Sequence, residues 1–215
     1  MTSKMDTCYE KEFFVFDWPE EETEFVKDYC NSQDLDEGNY QCTLPLKCNT
    51  AQEALDTSHW TFAEKMNKPF DSKIIIYDCH DEYDDKFLSL VERMARERLP
   101  VFKDVDFVKV LRSSLHVYPE DDGFMGWHTN DDYPAWRIYL TYTEEADKSY
   151  ISYWDEIKEE EVRSYDKKGI TCRAFYLKES PPLMHSIAAQ TRRWSVGFKI
   201  YNEKQWEKHG GVYDE

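Results

Sequence analysis

From Val108 the chain alternates with a period of two. Val108, Val110, Arg112, Ser114, His116 and Tyr118 interleave with Lys109, Leu111, Ser113, Leu115 and Val117. That spacing sends successive side chains to opposite faces and predicts a strand. Residues 119–123, from a proline to a glycine, read as the turn that ends it. Further strands are predicted over 137–142, 150–154, 171–177 and 194–201. The last is the most legible. Trp194, Val196, Phe198 and Ile200 share one face and suit packing beneath helices, while Arg193, Ser195, Gly197, Lys199 and Tyr201 share the other. The second face is too polar for a core. A buried arginine there calls for an anionic partner, because an unpaired charge out of water is costly.

The first half of the chain follows a different rhythm. Residues 12–18 read as a short apolar strand, and Pro19 then opens a helix whose first turn carries Glu20, Glu21 and Glu22, where the helix dipole favours acids. Phe25, Val26 and Tyr29 give that helix its apolar face. Residues 34–72 read as irregular and polar, with Thr43, Leu44, Pro45 and Leu46 as a candidate strand; 74–77 is β-branched and strand-like. The acidic run 78–82 reads as a capping turn. Residues 83–98 predict the main amphipathic helix, with Phe87, Leu90, Val91 and Met94 on one stripe and Pro100 as its stop. The run 156–161 reads as a solvated loop or edge. Together these predict an α+β fold: a sandwich or barrel of the jelly-roll kind, with N-terminal helices packed on one sheet. One domain is expected over 1–215, with a helical support region over 1–106, the jelly-roll core over 107–202 and a tail over 203–215.

Composition narrows the partners. The 215 residues carry 40% hydrophobic and 16% aromatic side chains, enough to build a core beside 33% charged residues. A formal net charge of -17 and a pI near 4.8 argue against nucleic acid, which needs concentrated basic surface. They favour neutral or cationic substrates. Cys8, Cys30, Cys42, Cys48, Cys79 and Cys172 form no CxxC pair and no zinc-like spacing. The N-terminus lacks a basic start followed by an apolar run. Reduced thiols in a cytoplasmic protein are therefore expected. No membrane partner is expected, since no stretch approaches the ~20 apolar residues of a membrane span. The oligomeric state is not legible in the sequence.

The chemistry lies in three separated pieces: Trp127-His128-Thr129-Asn130, then His185, then Arg193-Trp194-Ser195. Two imidazoles and a carboxylate can hold iron on one face and leave positions open for co-substrate and oxygen. The order His-x-acid, distant His, Arg-x-Ser resembles the iron(II)/2-oxoglutarate-dependent dioxygenase superfamily. LHVY, MGWHTN, RIYLTY, YISYWD, KKGITCRAFYL and LMHSIAAQTRRWSVGFKIY resemble that family's successive core segments, and FFVFDWPEEETEFVKDYC resembles its opening strand and helix. The resemblance covers about residues 108–201. It implies a double-stranded β-helix and an oxygenase using iron(II) and 2-oxoglutarate on a small molecule or a protein side chain. It implies His128 and His185 as iron ligands, with Arg193 binding the far carboxylate of 2-oxoglutarate as a planar fork. Ser195 and Tyr118 would assist Arg193, and strand alternation would turn Arg192 outward.

Asn130 departs from the pattern, because the family has Asp or Glu there. An amide oxygen is a weaker ligand for a hard cation than a carboxylate. Three readings stay open. Iron binds through His128, Asn130 and His185, or Asp131 or Asp132 supplies the carboxylate from a shifted loop, or the domain binds a ligand without catalysis. A halogenase is a further variant, although the residue at that position is then usually small. His116 shares a face with Tyr118 and reads as a polar interior contact. His59, His80 and His209 lie in polar stretches and read as solvated.

Overall fold

A computed structural model of the protein describes residues 13–33, 38–43, 72–77, 83–129, 134–178 and 183–209. Among these residues eleven strands run in chain order: β1 (Phe13–Phe16), β2 (Asn39–Thr43), β3 (Ser72–Tyr77), β4 (Val108–Tyr118), β5 (Gly123–His128), β6 (Ala135–Thr143), β7 (Ser149–Asp155), β8 (Glu160–Tyr165), β9 (Gly169–Leu177), β10 (His185–Ala189) and β11 (Arg193–Asn202). The described α-helices are α1 (Thr23–Ser32), α2 (Asp84–Arg98) and α3 (Glu203–His209). The expected strand over 43–46 and the capping turn over 78–82 fall mainly outside the described residues. No helix among those described is long and apolar enough to cross a membrane.

The strands form one curled antiparallel ladder in the order β1-β9-β6-β11-β4-β3-β5-β10-β7-β8, with β2 on β3. Strands far apart in sequence pair closely. β11 lies between β4 and β6, and β10 lies between β5 and β7. Such nested pairing distinguishes a jelly roll from a simple meander.

Two cores follow from the alternation. On one face Trp136, Ile138, Leu140, Trp194, Val196, Phe198 and Ile200 join Val26 and Tyr29 of α1 and Phe87, Val91 and Met94 of α2. The rings of Phe87 and Phe198 sit 5.9 Å apart. Each such buried side chain contributes roughly 1.5–3 kcal/mol. On the other face Ile74, Tyr118, Met125, Ile151, Phe175, Leu177 and Ile187 fill the inside of the roll. Cys30 and Cys172 are free and buried, and burial pushes both thiols up.

Two irregularities correct the simple alternation. Between Gly197 and Phe198 the register on β4 slips: Ser114 faces Gly197, but Arg112 faces Phe198. The extra residue, Ser113, reverses the sides of β4. Val110 therefore joins the helix-side core together with Leu115 and Val117. Arg112 follows it to that side and pairs with Asp84 and with the Tyr29 hydroxyl. Uninterrupted alternation would have put Arg112 beside His116. The second slip lies between His185 and Ile187. Two steps along β10 there oppose three along β5, which lets Met125 and His128 share the interior face despite their odd spacing.

β2 forms within the stretch 34–72 that the sequence leaves irregular outside 43–46. Within the run 156–161, expected as a solvated loop or edge, residues 156–159 form a turn and residue 160 begins β8, an edge strand paired with β7 alone among the described strands. β10 is too short to show a period. The tail begins with α3, where Trp206 packs 5.8 Å from the Tyr201 ring.

Candidate functional site

β5 and β10 end at the same level, and their paired register sets His128 directly opposite His185. The ring centroids are 4.2 Å apart and the rings are tilted by 52°. Both are buried, at 8% and 2% exposure. The Nδ1–H of His128 donates to the Gly126 carbonyl at 2.7 Å, and that of His185 donates to the Leu183 carbonyl at 3.1 Å. A carbonyl can only accept, so Nδ1 of each ring carries the proton and Nε2 is the unprotonated nitrogen. Burial lowers the His128 pKa to about 4, with the nearby His116 adding to the effect. Burial, His128 and Arg137 hold His185 well below its ordinary value. Both imidazoles are thus neutral at neutral pH. A neutral ring fixed through Nδ1 is the form in which histidine binds a metal.

Among the described residues no group of three His, Cys, Asp or Glu side chains converges to hold a metal. The pair supplies two donors. Asn130, Asp131 and Asp132 lie outside the described residues. Two basic imidazole nitrogens of fixed tautomer fit iron(II), for which imidazole is a suitable ligand.

Beyond the pair, the interior is polar and cationic. Arg193 pairs with Tyr118 of β4 and Thr143 of β6. Its side chain is buried, and its Cζ lies 5.0 Å from the centroid of the Tyr118 ring. Nε donates to Asp166 Oδ2 at 2.8 Å and Nη2 donates to Thr141 Oγ1 at 3.0 Å. Nη1 is buried and has no hydrogen-bond partner among the described residues. Burial pushes the Tyr118 hydroxyl up. Ser195, one interior step from Arg193, is buried and sits opposite His116 and Thr141. Desolvation lowers His116 to about 4, and the Arg193 charge adds to it. Arg192 lies on the outer side, 3.6 Å from Glu120.

Sequence reasoning missed Asp166, Arg173 and Arg137. Arg137 and Arg173 alternate with Trp136 and Ile138, and with Cys172 and Ala174, all of which lie on the helix-side face, so they project inward. That signal was available in the sequence. Asp166 follows β8 in a connection with no periodic signal. Three arginines of the interior face are almost wholly buried, at 1–2% exposure, against one buried carboxylate, Asp166, among the described residues. A protein of net charge -17 therefore carries a cationic interior.

The fold is shared with solved prolyl hydroxylases. A prolyl-4-hydroxylase from Pseudomonas putida matches with a TM-score of 0.54 at 16% identity, over 89% of this chain and 93% of that one. A prolyl hydroxylase from Trichoplax adhaerens, in complex with a peptide fragment of the hypoxia inducible factor oxygen degradation domain, also matches at 0.54. Its identity is 10%, over 95% of this chain and 88% of that one. No family model matches the sequence. No curated protein matches it by sequence either. At these identities the likeness establishes the jelly-roll architecture.

Proposed function

We propose that the protein is an iron(II)- and 2-oxoglutarate-dependent oxygenase that hydroxylates a C–H bond of a small molecule or a protein side chain. The observation that carries this reading is the His128–His185 pair: two neutral rings in register, each with Nδ1 spoken for by a carbonyl. Two imidazoles of the same fixed tautomer, side by side with ring centroids 4.2 Å apart, are of the type and spacing that one metal ion takes. The fold shared with prolyl hydroxylases agrees with the reading. The peptide held by the Trichoplax enzyme favours a side chain within a polypeptide as substrate.

In this reading His128 and His185 bind the iron, and Asn130, Asp131 or Asp132 completes the set. Arg193 takes the far carboxylate of 2-oxoglutarate through its unpartnered Nη1, assisted by Ser195 and Tyr118. The excess positive charge of the interior draws the dianion in, and the apolar residues inside the roll exclude water from it. Bound iron(II) with 2-oxoglutarate supplies the oxidising power for C–H hydroxylation. The chain contributes binding, orientation and dryness.

One observation favours a second reading. Asn130 stands where the resemblance implies an acid, and a roll that kept its anion pocket but lost the metal would bind a ligand without turnover. Anaerobic titration with iron(II), followed by 2-oxoglutarate and oxygen, separates the two. Stoichiometric iron binding with succinate formation supports the oxygenase. Binding of 2-oxoglutarate without iron affinity supports the second reading.

A further inference from the structure

Arg193 does not wait for its ligand as a loose side chain. Its Nε and Nη2 are tied to Asp166 and Thr141, and the ring of Tyr118 lies against its face. Asp166 is itself fixed. Its backbone N–H donates to the Ser149 carbonyl at 2.9 Å, and its own carbonyl accepts from the Asp147 N–H at 2.9 Å. Its carboxylate also accepts from the Ser149 hydroxyl and from Arg173. Arg173 is held in turn by the Ser164 hydroxyl at 2.9 Å and by the carbonyls of Ser164 and Tyr165 at 2.8 and 2.9 Å. Every member of this buried cluster is satisfied except one atom, Nη1 of Arg193. Burying donor hydrogens without a partner is costly. One carboxylate between two guanidiniums also leaves one positive charge uncompensated. Atom and charge point to the same missing partner, a single carboxylate.

We propose that Asp166 is a positioning residue for the co-substrate: fixed between Arg173 and Arg193, it holds the Arg193 guanidinium by one edge so that the opposite end, Nη1, meets the far carboxylate of a 2-oxo diacid. The proposal rests on the oxygenase reading. Without the tether a guanidinium on a flexible stem would have to be ordered at the moment of binding, which costs affinity. Burial raises the Asp166 carboxyl, yet the charges of Arg193 and Arg173 and the bond from Ser149 hold it below the usual carboxylate range. It therefore stays charged and competent to hold Arg193 at any ordinary pH.

The test compares two acids on the iron(II)-loaded full chain under anaerobic conditions, by titration calorimetry. 2-Oxoglutarate and pyruvate share the 2-oxo-acid end, but only the first has the far carboxylate, so the ratio of their affinities reports the Arg193 contact alone. Asp166→Asn is expected to lower that ratio about tenfold while leaving iron(II) affinity unchanged. A purely electrostatic role predicts the opposite sign, because removing a negative charge makes the pocket more attractive to the diacid. Thr141→Val removes the second tether without changing charge and is expected to lower the ratio several-fold. It decides the matter if Asp166→Asn fails to fold. A ratio that stays unchanged or rises in the folded variants overturns the positioning role alone. If the wild type binds neither acid, the oxygenase reading falls and takes the positioning role with it.

Discussion

At the scale of residues, the proposed oxygenase divides its work between two imidazoles and a guanidinium, and each can be removed separately. His185→Ala takes away one of the two proposed metal donors, so iron(II) affinity is expected to fall below detection in anaerobic titration. Unchanged affinity would exclude the pair as the iron site. Asn130→Asp replaces a neutral oxygen by a charged one and is expected to tighten iron binding. If Asp131 or Asp132 is the third ligand, that change has little effect and the corresponding Asp→Ala is severe. Arg193→Lys keeps a charge but cannot bond Asp166, Thr141 and a carboxylate at once. A charge-assisted bond contributes roughly 1.5–3 kcal/mol, so 2-oxoglutarate affinity should drop about ten- to a hundred-fold. Arg192→Lys should change little, because that side chain pairs with Glu120 on the outside.

At the scale of elements, the two register slips aim the site. The slip beside Gly197 turns Ser114, His116 and Tyr118 inward and Arg112 outward, so the strand that supports Arg193 presents polar groups to it. Gly197 is part of that device. A Cβ there would lie 2.9 Å from Tyr139 Cε1 and closer still to the Ser114 hydroxyl. Gly197→Ala is therefore expected to destabilise the protein by about 1–3 kcal/mol, as overpacking does. It should also weaken 2-oxoglutarate binding, because Ser114 and Tyr139 line the interior face. A wild-type unfolding midpoint in urea for this variant would show that β4 can relax. The strands were legible as strands because β6, β9 and β11 alternate along their length and β4 alternates on either side of its slip. β8 and β10 were not, since an exposed edge and a short buried run carry no period.

At the scale of the whole molecule, an acidic surface encloses a cationic interior, and neutral histidines lie between them. His116 and His128 titrate near pH 4 in the metal-free fold, against about 6.5 in an unfolded chain. The unfolded state thus binds more protons between those values. Their contribution to stability is complete above about pH 6.5 and is lost as pH falls toward 4, at about 1.4 kcal/mol per histidine for each pH unit crossed between the two values. Asp166, held below the usual carboxylate range, adds a further loss at lower pH. Urea midpoints measured from pH 8 to pH 4 on the metal-free protein should fall steeply below about 6.5. A flat profile would mean that His116 and His128 are solvated rather than enclosed.

The sequence by itself determined the strand and helix periods, the polar inner face of β11 and the choice of His128, His185 and Arg193 as the residues to watch. The periods and the face depend on local spacing, which a chain carries along its length, and the three residues on the resemblance of their order to a known family's motif. Only the tertiary structure decided which groups meet. The opposition of His128 and His185 arises from pairing β5 with β10, elements separated by four intervening strands, β6 to β9. The partner of Arg193 is Asp166, 27 residues away in a connection without a pattern. The inward turn of His128 depends on a slipped register that alternation cannot foresee. Periodicity tells which face a side chain takes; pairing and bulges decide what it faces, because they are set by closure of the whole roll.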